Sequence, residues 1–392
     1  MNAPHAREAQ PEVTVVLPCL NEARTVAICV RKVREVCAAA SVACEVVVAD
    51  NGSTDGSQEL ATAAGARVID VPQRGYGAAI LAGIAAAHAP MIVMGDSDDS
   101  YEFADIPAFL AQLRAGAELV MGSRFRGTIH PGAMPLLHRF VGNPVLTWIL
   151  NLFFGAGVSD AHCGLRAFSR AAIDRLGLRA RGMEFASEMI VRAAQEKLRI
   201  AEVPTSLRPD GRLRRPHLRT WSDGWRHLRF MLLFSPLWLF VVPGLVLTVT
   251  GLVLTVVVAA GSVRLLGHLL DTHFALLGSA FAVLGMQIAT LGLYAKAIFV
   301  LDGIGNNAAV RKLVSGFRLE RGLLLGLFIA LAGAVVDGWI LHLWLDSGGG
   351  ELDKSITHLA ILGGTLVAVG VEIIFAAFFL SILKSSREGA WA

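Results

Sequence analysis

Residues 94–103 read MGDSDDSYEF. Three carboxylates, Asp96, Asp98 and Asp99, follow the apolar run MIVM. Carboxylate oxygens suit hard divalent cations such as Mg2+ and Mn2+. Asp96 and Asp98, two residues apart, could meet one ion where a buried strand ends. The same letters also serve an ordinary turn followed by a capped helix, because Asp and Ser favour both. The elements around this stretch have to decide between the two.

The chain has 392 residues, room for two or three domains. It is 54% hydrophobic with a mean hydropathy of +0.56, too apolar for an ordinary soluble enzyme. Charged residues are frequent up to about Arg229 and long apolar runs dominate afterwards. This unevenness implies a soluble head and a membrane tail. A formal net charge of +3 makes no case for nucleic acid. The basic residues cluster instead in 207–230, with seven Arg and two Asp just before the first long apolar run. Such juxtamembrane clusters attract anionic headgroups. The five cysteines form no CxxC pair, which reads as reduced thiols and hence a cytoplasmic head. The first residues, MNAPHAREAQPEV, contain no apolar signal-peptide core.

A helical span needs roughly 20 apolar residues. Four segments reach that length, near 237–260, 274–301, 322–345 and 357–383. The stretch 217–236 interleaves Arg and Trp with Leu and Phe, as an interfacial helix does. The second connection between spans carries four Lys/Arg, whereas the first and third carry one each. The positive-inside rule then puts the head, the second connection and the C-terminus on the cytoplasmic side. Lys296, Asp337 and Glu372 fall within or near the ends of spans, where charge is either functional or held at an interface.

The head alternates short apolar runs with helical patterns. VTVVLP, CEVVVAD, ARVIDVP, MIVMGD and ELVMGSRF read as strands, with helix-like spacing between them. This rhythm predicts a mainly parallel sheet covered by helices on both faces. Ligands of such sheets bind beyond the strand C-terminal ends. Those ends here carry PCLNE, DNGSTDGS, PQRGYG, DSDDS and GSRFRG. Any one could be turn chemistry, since Gly and Asn tolerate positive φ. Five in succession at one sheet edge exceed what turns alone require.

These segments closely resemble the family 2 glycosyltransferases with a GT-A fold. The nearest branch is similar to the dolichyl- or polyprenyl-phosphate sugar synthases, such as dolichol-phosphate mannose or glucose synthases. VVLPCLNEARTV, VVVADNGSTDGS, QRGYGAAILAG, MGDSDDSYEF, VMGSRFRG, HRFVGNPVLT, DAHCGLRAF, EFASEM and EVPTSLRP carry the resemblance in order over residues 13 to about 215. It implies a Rossmann-like α/β GT-A head followed by an all-α domain of about four transmembrane helices. The implied boundaries are a flexible 1–12, a glycosyltransferase domain over 13–215, a juxtamembrane helix over 216–236, spans over 237–383 and a cytoplasmic tail over 384–392.

By the same resemblance, Pro18, Asn21, Glu22 and Asp50 would bind base and ribose, with Arg74 and Gly75 near the nucleotide. Asp96 and Asp98 match the family's metal-binding acidic motif, which expects Mg2+ or Mn2+. Asp99 beside them is an extra carboxylate or a cap for the next helix. Arg124 matches the arginine near the acceptor phosphate, and Arg139 and Asn143 match a helix contacting the same phosphate. An arginine fork suits phosphate oxygens. Arg126 reads as a solvated surface charge. Arg208 and Arg214 follow only partly the family's Arg-x-x-Gly-x-Ser-Lys ending, since Leu213 replaces the Ser and Arg214 the Lys.

The implied reaction moves a sugar, with glucose or mannose favoured, from a UDP- or GDP-sugar to a polyprenyl phosphate at the cytoplasmic membrane face, inverting the anomeric centre. Asp98, Arg124 and Arg139 would carry the catalysis. A phosphate monoester has a second pKa of about 6, so the acceptor is largely deprotonated at neutral pH and needs no strong general base. His138 and His162 are then structural rather than catalytic. Homo-oligomerisation stays open. One alternative is a processive polysaccharide synthase, whose Gln-x-x-Arg-Trp motif this sequence lacks. Another is a non-catalytic translocation or scaffold protein with a GT-A head, against which the intact Asp96/Asp98 pair argues.

Overall fold

The computed structural model describes residues 10–211, 220–261, 263–265, 268–301, 316–350 and 352–388. It divides into two compact units, Met1–Met231 and Leu232–Ala392.

The first unit is built on a seven-stranded sheet. Its strands are β1 (Val13–Cys19), β2 (Cys44–Asp50), β3 (Arg67–Asp70), β4 (Met91–Met94), β5 (Leu119–Ser123), β6 (Arg166–Ser169) and β7 (Ile200–Pro204), in the spatial order 3-2-1-4-6-5-7. β1, β2, β3 and β4 pair in parallel, as do β5 and β7. β6 runs antiparallel to both β4 and β5, which it separates. The mainly parallel sheet is as the sequence predicts, but the chain reading stops at five strands. β6 escapes it because RAFS is four residues long and begins with a buried arginine, so no apolar run marks it.

The strands have period two. Val13, Val15 and Leu17 of β1 join the core that contains Val26, Cys29, Val30 and Val33 of helix α1 (Val26–Ala39). Val16 points to the other face, where a Cβ on Gly83 of helix α3 (Tyr76–Ala86) would collide with it. The apolar positions of α1 recur at helical spacing, so one stripe faces the sheet. The sequence pattern extends this helix back to residue 21, but residues 20–25 form a turn instead, with Asn21 at φ 56. Strand order reverses at β1: β2 and β3 lie on one side and β4 on the other. In an open α/β sheet such a switch point is where a crevice forms beyond the strand ends.

Helices α2 (Ser57–Ala63), α4 (Ile106–Arg114), α5 (Asn143–Phe154), α6 (Arg170–Leu176) and α7 (Phe185–Gln195) complete the layers. A single π-helical turn, His138–Gly142, leads into α5. The helix α8 (Thr220–Leu233) falls within the expected interfacial stretch. Its inner side carries Asp223, His227 and Met231, all buried, while Trp221 is 82% exposed and Trp225 57%. The exposed side also carries Ser222, Arg226 and Arg229, so it interleaves indole rings with cations as an interfacial helix does.

The second unit contains four helices long and apolar enough to cross a membrane, Leu237–Ala259, Thr272–Leu301, Leu319–Asp346 and Lys354–Ser385. All four expected spans are present with nearly the expected limits. The first two pack closely where Gly244 and Gly251 meet Gly278 and Gly285, leaving no room for a Cβ. Gly326 and Gly333 of the third meet Gly363 and Gly370 of the fourth in the same way. Small residues at helix interfaces allow the backbone approach on which packing within lipid depends. The connection at 302–315 and residues 212–219, including Arg214, lie outside the described residues.

Candidate active site

Four loops leave the C-terminal ends of β1 to β4, and each is tied to its neighbour by side chains. Asn21, after β1, accepts the Thr54 N–H with its Oδ1 at 2.7 Å, and its own N–H donates to Ser53 Oγ at 2.8 Å. The Glu22 N–H donates to Ser57 Oγ at 2.8 Å, and the Glu22 side chain is buried. The loops after β1 and β2 therefore form one surface. Asn51 continues the chain of contacts. Its Nδ2 donates to the carbonyls of Val71 and Gln73, and its Oδ1 accepts the Gly75 N–H at 2.7 Å. Gly75 has φ 136, and a Cβ there would strike the Arg181 carbonyl oxygen, so the turn needs glycine. Arg74 beside it is exposed.

Asp50 is fully buried at the end of β2. Its Oδ2 accepts three hydrogen bonds, from Gly52 N, Ser53 N and Gln58 Nε2. Burial pushes the carboxyl up, but the bonds from Ser53, Gln58 and Gly52 outweigh it and hold it below the ordinary carboxylate range. Its other oxygen, Oδ1, has no hydrogen-bond partner among the described residues. A buried carboxylate oxygen left unpaired is costly, and a ligand N–H is one way to satisfy it.

The acidic stretch follows β4 at the switch point. Ser97 Oγ donates to the Pro18 carbonyl at 2.6 Å and fastens this loop to the end of β1. Asp96 Oδ1 accepts the Tyr76 hydroxyl at 3.0 Å, and the Asp96 carboxylate lies against Gly164. Burial, and then Asp96 itself, push the Tyr76 phenol well above its usual value, so it stays a donor. Asp98 is 8% exposed and its Oδ1 accepts from the N–H and hydroxyl of Ser100. Asp99 does not cap the next helical turn, whose N-cap position is Glu102. It sits at φ 61 and pairs with Lys32 at 2.6 Å. The backbone then joins the 205–211 segment, with Arg208 N donating to Ser100 O and Gly211 N to Asp98 O.

Among the described residues no group of three or more His, Cys, Asp or Glu is placed to hold a metal alone. Mg2+ is often bound by one or two carboxylates together with substrate phosphates. Asp96 and Asp98 supply that partial set, so the residues fit an ion that arrives with a diphosphate.

The arginines expected at an acceptor phosphate are arranged differently from one another. Arg124 is 8% exposed, and its Nε and Nη2 bind both oxygens of fully buried Asp160 at 2.6 and 2.8 Å. Burial alone would lower the Arg124 pKa, but Tyr101 and Asp160 raise it, so the cation is fixed. Nη1 makes no hydrogen bond among the described residues. Arg208 pairs with Glu102 at 2.6 Å. Arg126 pairs with Glu202 at 3.2 Å and is more than half exposed, as a surface charge should be. Arg139 lies on the π-helical turn with its guanidinium over the Phe140 ring, and Asn143 opens α5 with its amide against Met134 Sδ. Around these two the surface is apolar: Leu136 is 72% exposed, Phe140 66% and Trp148 63%.

Several residues here escape the sequence reading. Asp160 and Gly164 arrive beside Arg124 and Asp96 because the antiparallel β6 returns the chain between β4 and β5. Arg166, which opens β6, is fully buried and donates to the carbonyls of Ala161, Cys163 and Ala186. Glu188 of α7 accepts the N–H groups of Arg179 and Ala180 and fixes the loop against Gly75. Among the described residues neither ring nitrogen of His162 is hydrogen-bonded, and the ring packs edge-on against His227 of α8, whose Nδ1 meets Ser187 Oγ at 2.8 Å. Burial lowers the pKa of both, that of His227 to about 4, so both rings are neutral at pH 7.

Residues 14–177 match the family described as glycosyl transferase family 2. Residues 293–384 match the glycosyltransferase family 2 C-terminal transmembrane region. The low-salt glycan biosynthesis hexosyltransferase Agl6 of Haloferax volcanii is 37% identical over 374 residues, covering 95% of this chain and 89% of that one. The dolichyl-phosphate hexose transferase of the same organism is 35% identical over 164 residues, or 42% of this chain and 70% of that one. A crystal structure of glucosyl-3-phosphoglycerate synthase from Mycobacterium tuberculosis superposes with a TM-score of 0.45 at 24% identity, over 57% of this chain and 79% of that one. That last likeness is too distant to carry any chemistry across.

Proposed function

Since this chain belongs to glycosyl transferase family 2 and is an integral membrane protein, we propose that it transfers a hexose from a nucleoside-diphosphate sugar to a polyprenyl phosphate at the cytoplasmic face. The observation that carries this reading is the position of Asp96 and Asp98. They follow β4 beside the end of β1, where the strand order reverses and four loops converge. The hexose class and the lipid phosphate are supported by the names of the two Haloferax volcanii relatives, a hexosyltransferase and a dolichyl-phosphate hexose transferase.

On this reading the nucleoside lies over the joined loops of β1 and β2. Pro18, Asn21 and Glu22 frame it, and the unpaired Oδ1 of Asp50 accepts an N–H of the base. The Arg74–Gly75 turn, held by Asn51, borders the nucleotide. Asp96 and Asp98 would hold Mg2+ or Mn2+ against the diphosphate. When bound, such an ion offsets the negative charge of the leaving diphosphate.

The acceptor phosphate meets Arg139, Asn143 and the remaining Nη1 edge of Arg124, whose fork Asp160 holds in place. Arg208, paired with Glu102, supplies positive charge nearby rather than an open fork. A lipid phosphate oxygen attacks the anomeric carbon. The bond from that carbon to the donor phosphate oxygen breaks, and the nucleoside diphosphate leaves with the electron pair. No base need accept a proton, because the attacking phosphate is already deprotonated. The apolar surface around Arg139 suits an acceptor whose phosphate sits at headgroup depth.

The test is transfer to undecaprenyl phosphate in detergent with a panel of radiolabelled nucleotide hexoses, with Mg2+ or Mn2+ or with EDTA. One donor should give an organic-extractable product that EDTA abolishes. A folded, nucleotide-binding protein that transfers from no donor would overturn the reading.

A further inference from the structure

The second and fourth spans line an open groove of about 610 Å3. Two facing stripes line it. Gln287, Thr290 and Tyr294 recur every three to four residues on the second span, and Glu372, Phe375 and Phe379 do so on the fourth. Glu372 Oε1 accepts the Thr290 hydroxyl at 3.2 Å, while Gln287 is exposed and Glu372 half-buried. The Tyr294 and Phe379 rings lie with centroids 4.5 Å apart. Thr290 and Glu372 both fall within about four residues of the middle of their 30- and 32-residue spans, so the polar end of the groove sits deep in the hydrocarbon layer. Carboxylate and amide groups at that depth are costly and mark sites where something polar is met.

The lining chemistry selects the occupant. A phosphate head would be repelled by Glu372. A bare hydrocarbon chain offers Glu372 and Gln287 no hydrogen bond. Sugar hydroxyls donate to the carboxylate and both donate to and accept from the amide. The C–H face of a pyranose can lie against Tyr294, Phe375 and Phe379. We propose that this groove is a binding site for the hexosyl headgroup of a glycolipid, separate from the transfer centre in the head. The groove itself specifies a polyhydroxylated head; naming it a hexose rests on the function proposed above. The membrane unit then engages a lipid-linked sugar inside the bilayer, rather than serving as an anchor alone.

The test uses the full-length protein in nanodiscs and three photoreactive probes: decyl β-D-glucopyranoside with a diazirine near the headgroup, and the matching decanol and decyl phosphate. Peptide mapping should place the glucoside label on the second and fourth spans, at least fivefold above decanol, and octyl glucoside should compete for it. Gln287→Leu and Glu372→Leu should each reduce the glucoside label to the decanol level, while transfer to a short-chain acceptor stays within twofold of wild type. Competition on the wild type decides the matter even if a variant fails to fold. Equal labelling by glucoside and decanol, preference for decyl phosphate, or cross-links between two copies at Glu372 would each overturn the proposal. A failure of transfer in the head with the groove label intact would instead count against the function proposed above.

Discussion

At the scale of single residues, each acidic group near the switch point has a distinct environment. Asp98 is satisfied by acceptor bonds that an asparagine oxygen can also make. Asp98→Asn should therefore keep the fold and lose the charge, reducing transfer at least about 100-fold, since charge stabilisation of this kind amounts to several kcal/mol. Transfer rates with a matched circular dichroism spectrum check this, and retained turnover would remove Asp98 from the metal role. Asp160→Ala should instead destabilise the head by about 3–5 kcal/mol, because it strands the buried Arg124 cation. Chemical denaturation reads that directly. The neutral His162 and His227 add a pH dependence. Their folded values are depressed, so the unfolded chain binds more protons below the ordinary histidine value of about 6.5. Stability should be full above about 6.5 and fall towards pH 4, and His227→Phe should flatten that slope in thermal melts. The placement of Pro18, Asn21, Asp50, Asp96 and Asp98 at strand ends was legible because the letters change there from apolar to polar, while the roles proposed for them come from the family resemblance. Asp160, Asn51 and the roles of Tyr76 and Arg166 were not, because their meaning depends on a partner brought from elsewhere in the fold.

At the scale of elements, the parallel strands and the four spans follow from runs of apolar residues, which local periodicity records. β6 has no such run. Its antiparallel insertion between β4 and β5 is settled by the sheet rather than by its own four residues, and it delivers residues 160–164 to the site. The segment from the π-helical turn through α5 was read only as a phosphate contact, yet Leu137, Val141, Val145, Trp148 and Leu152 form an exposed stripe along it. Helical spacing of apolar residues does not by itself distinguish a face that meets a core from one that meets lipid. Trp148→Asp should leave folding intact, because the side chain is 63% exposed. It should raise the KM for a long-chain acceptor in vesicles roughly 10-fold, the scale of 1.5–3 kcal/mol for burying a large apolar side chain. Transfer to a water-soluble short-chain acceptor should not change. An equal loss with both acceptors would mean that this stripe packs inside the protein's own assembly rather than on lipid.

At the scale of the whole molecule, the uneven hydropathy already separates a polar head from an apolar tail, and the structure divides the chain at Met231. The two halves suit the two substrates proposed above, a water-soluble nucleotide sugar and a lipid phosphate. The central claim is that a lipid phosphate oxygen attacks the anomeric carbon. The most direct measurement is combined 1H and 31P NMR of the purified lipid product made with an α-linked donor. The account predicts one phosphorus, coupled to the anomeric proton of a β-linked hexose. Two phosphorus atoms between sugar and lipid, a retained α linkage, or a sugar joined through a hydroxyl oxygen would contradict it.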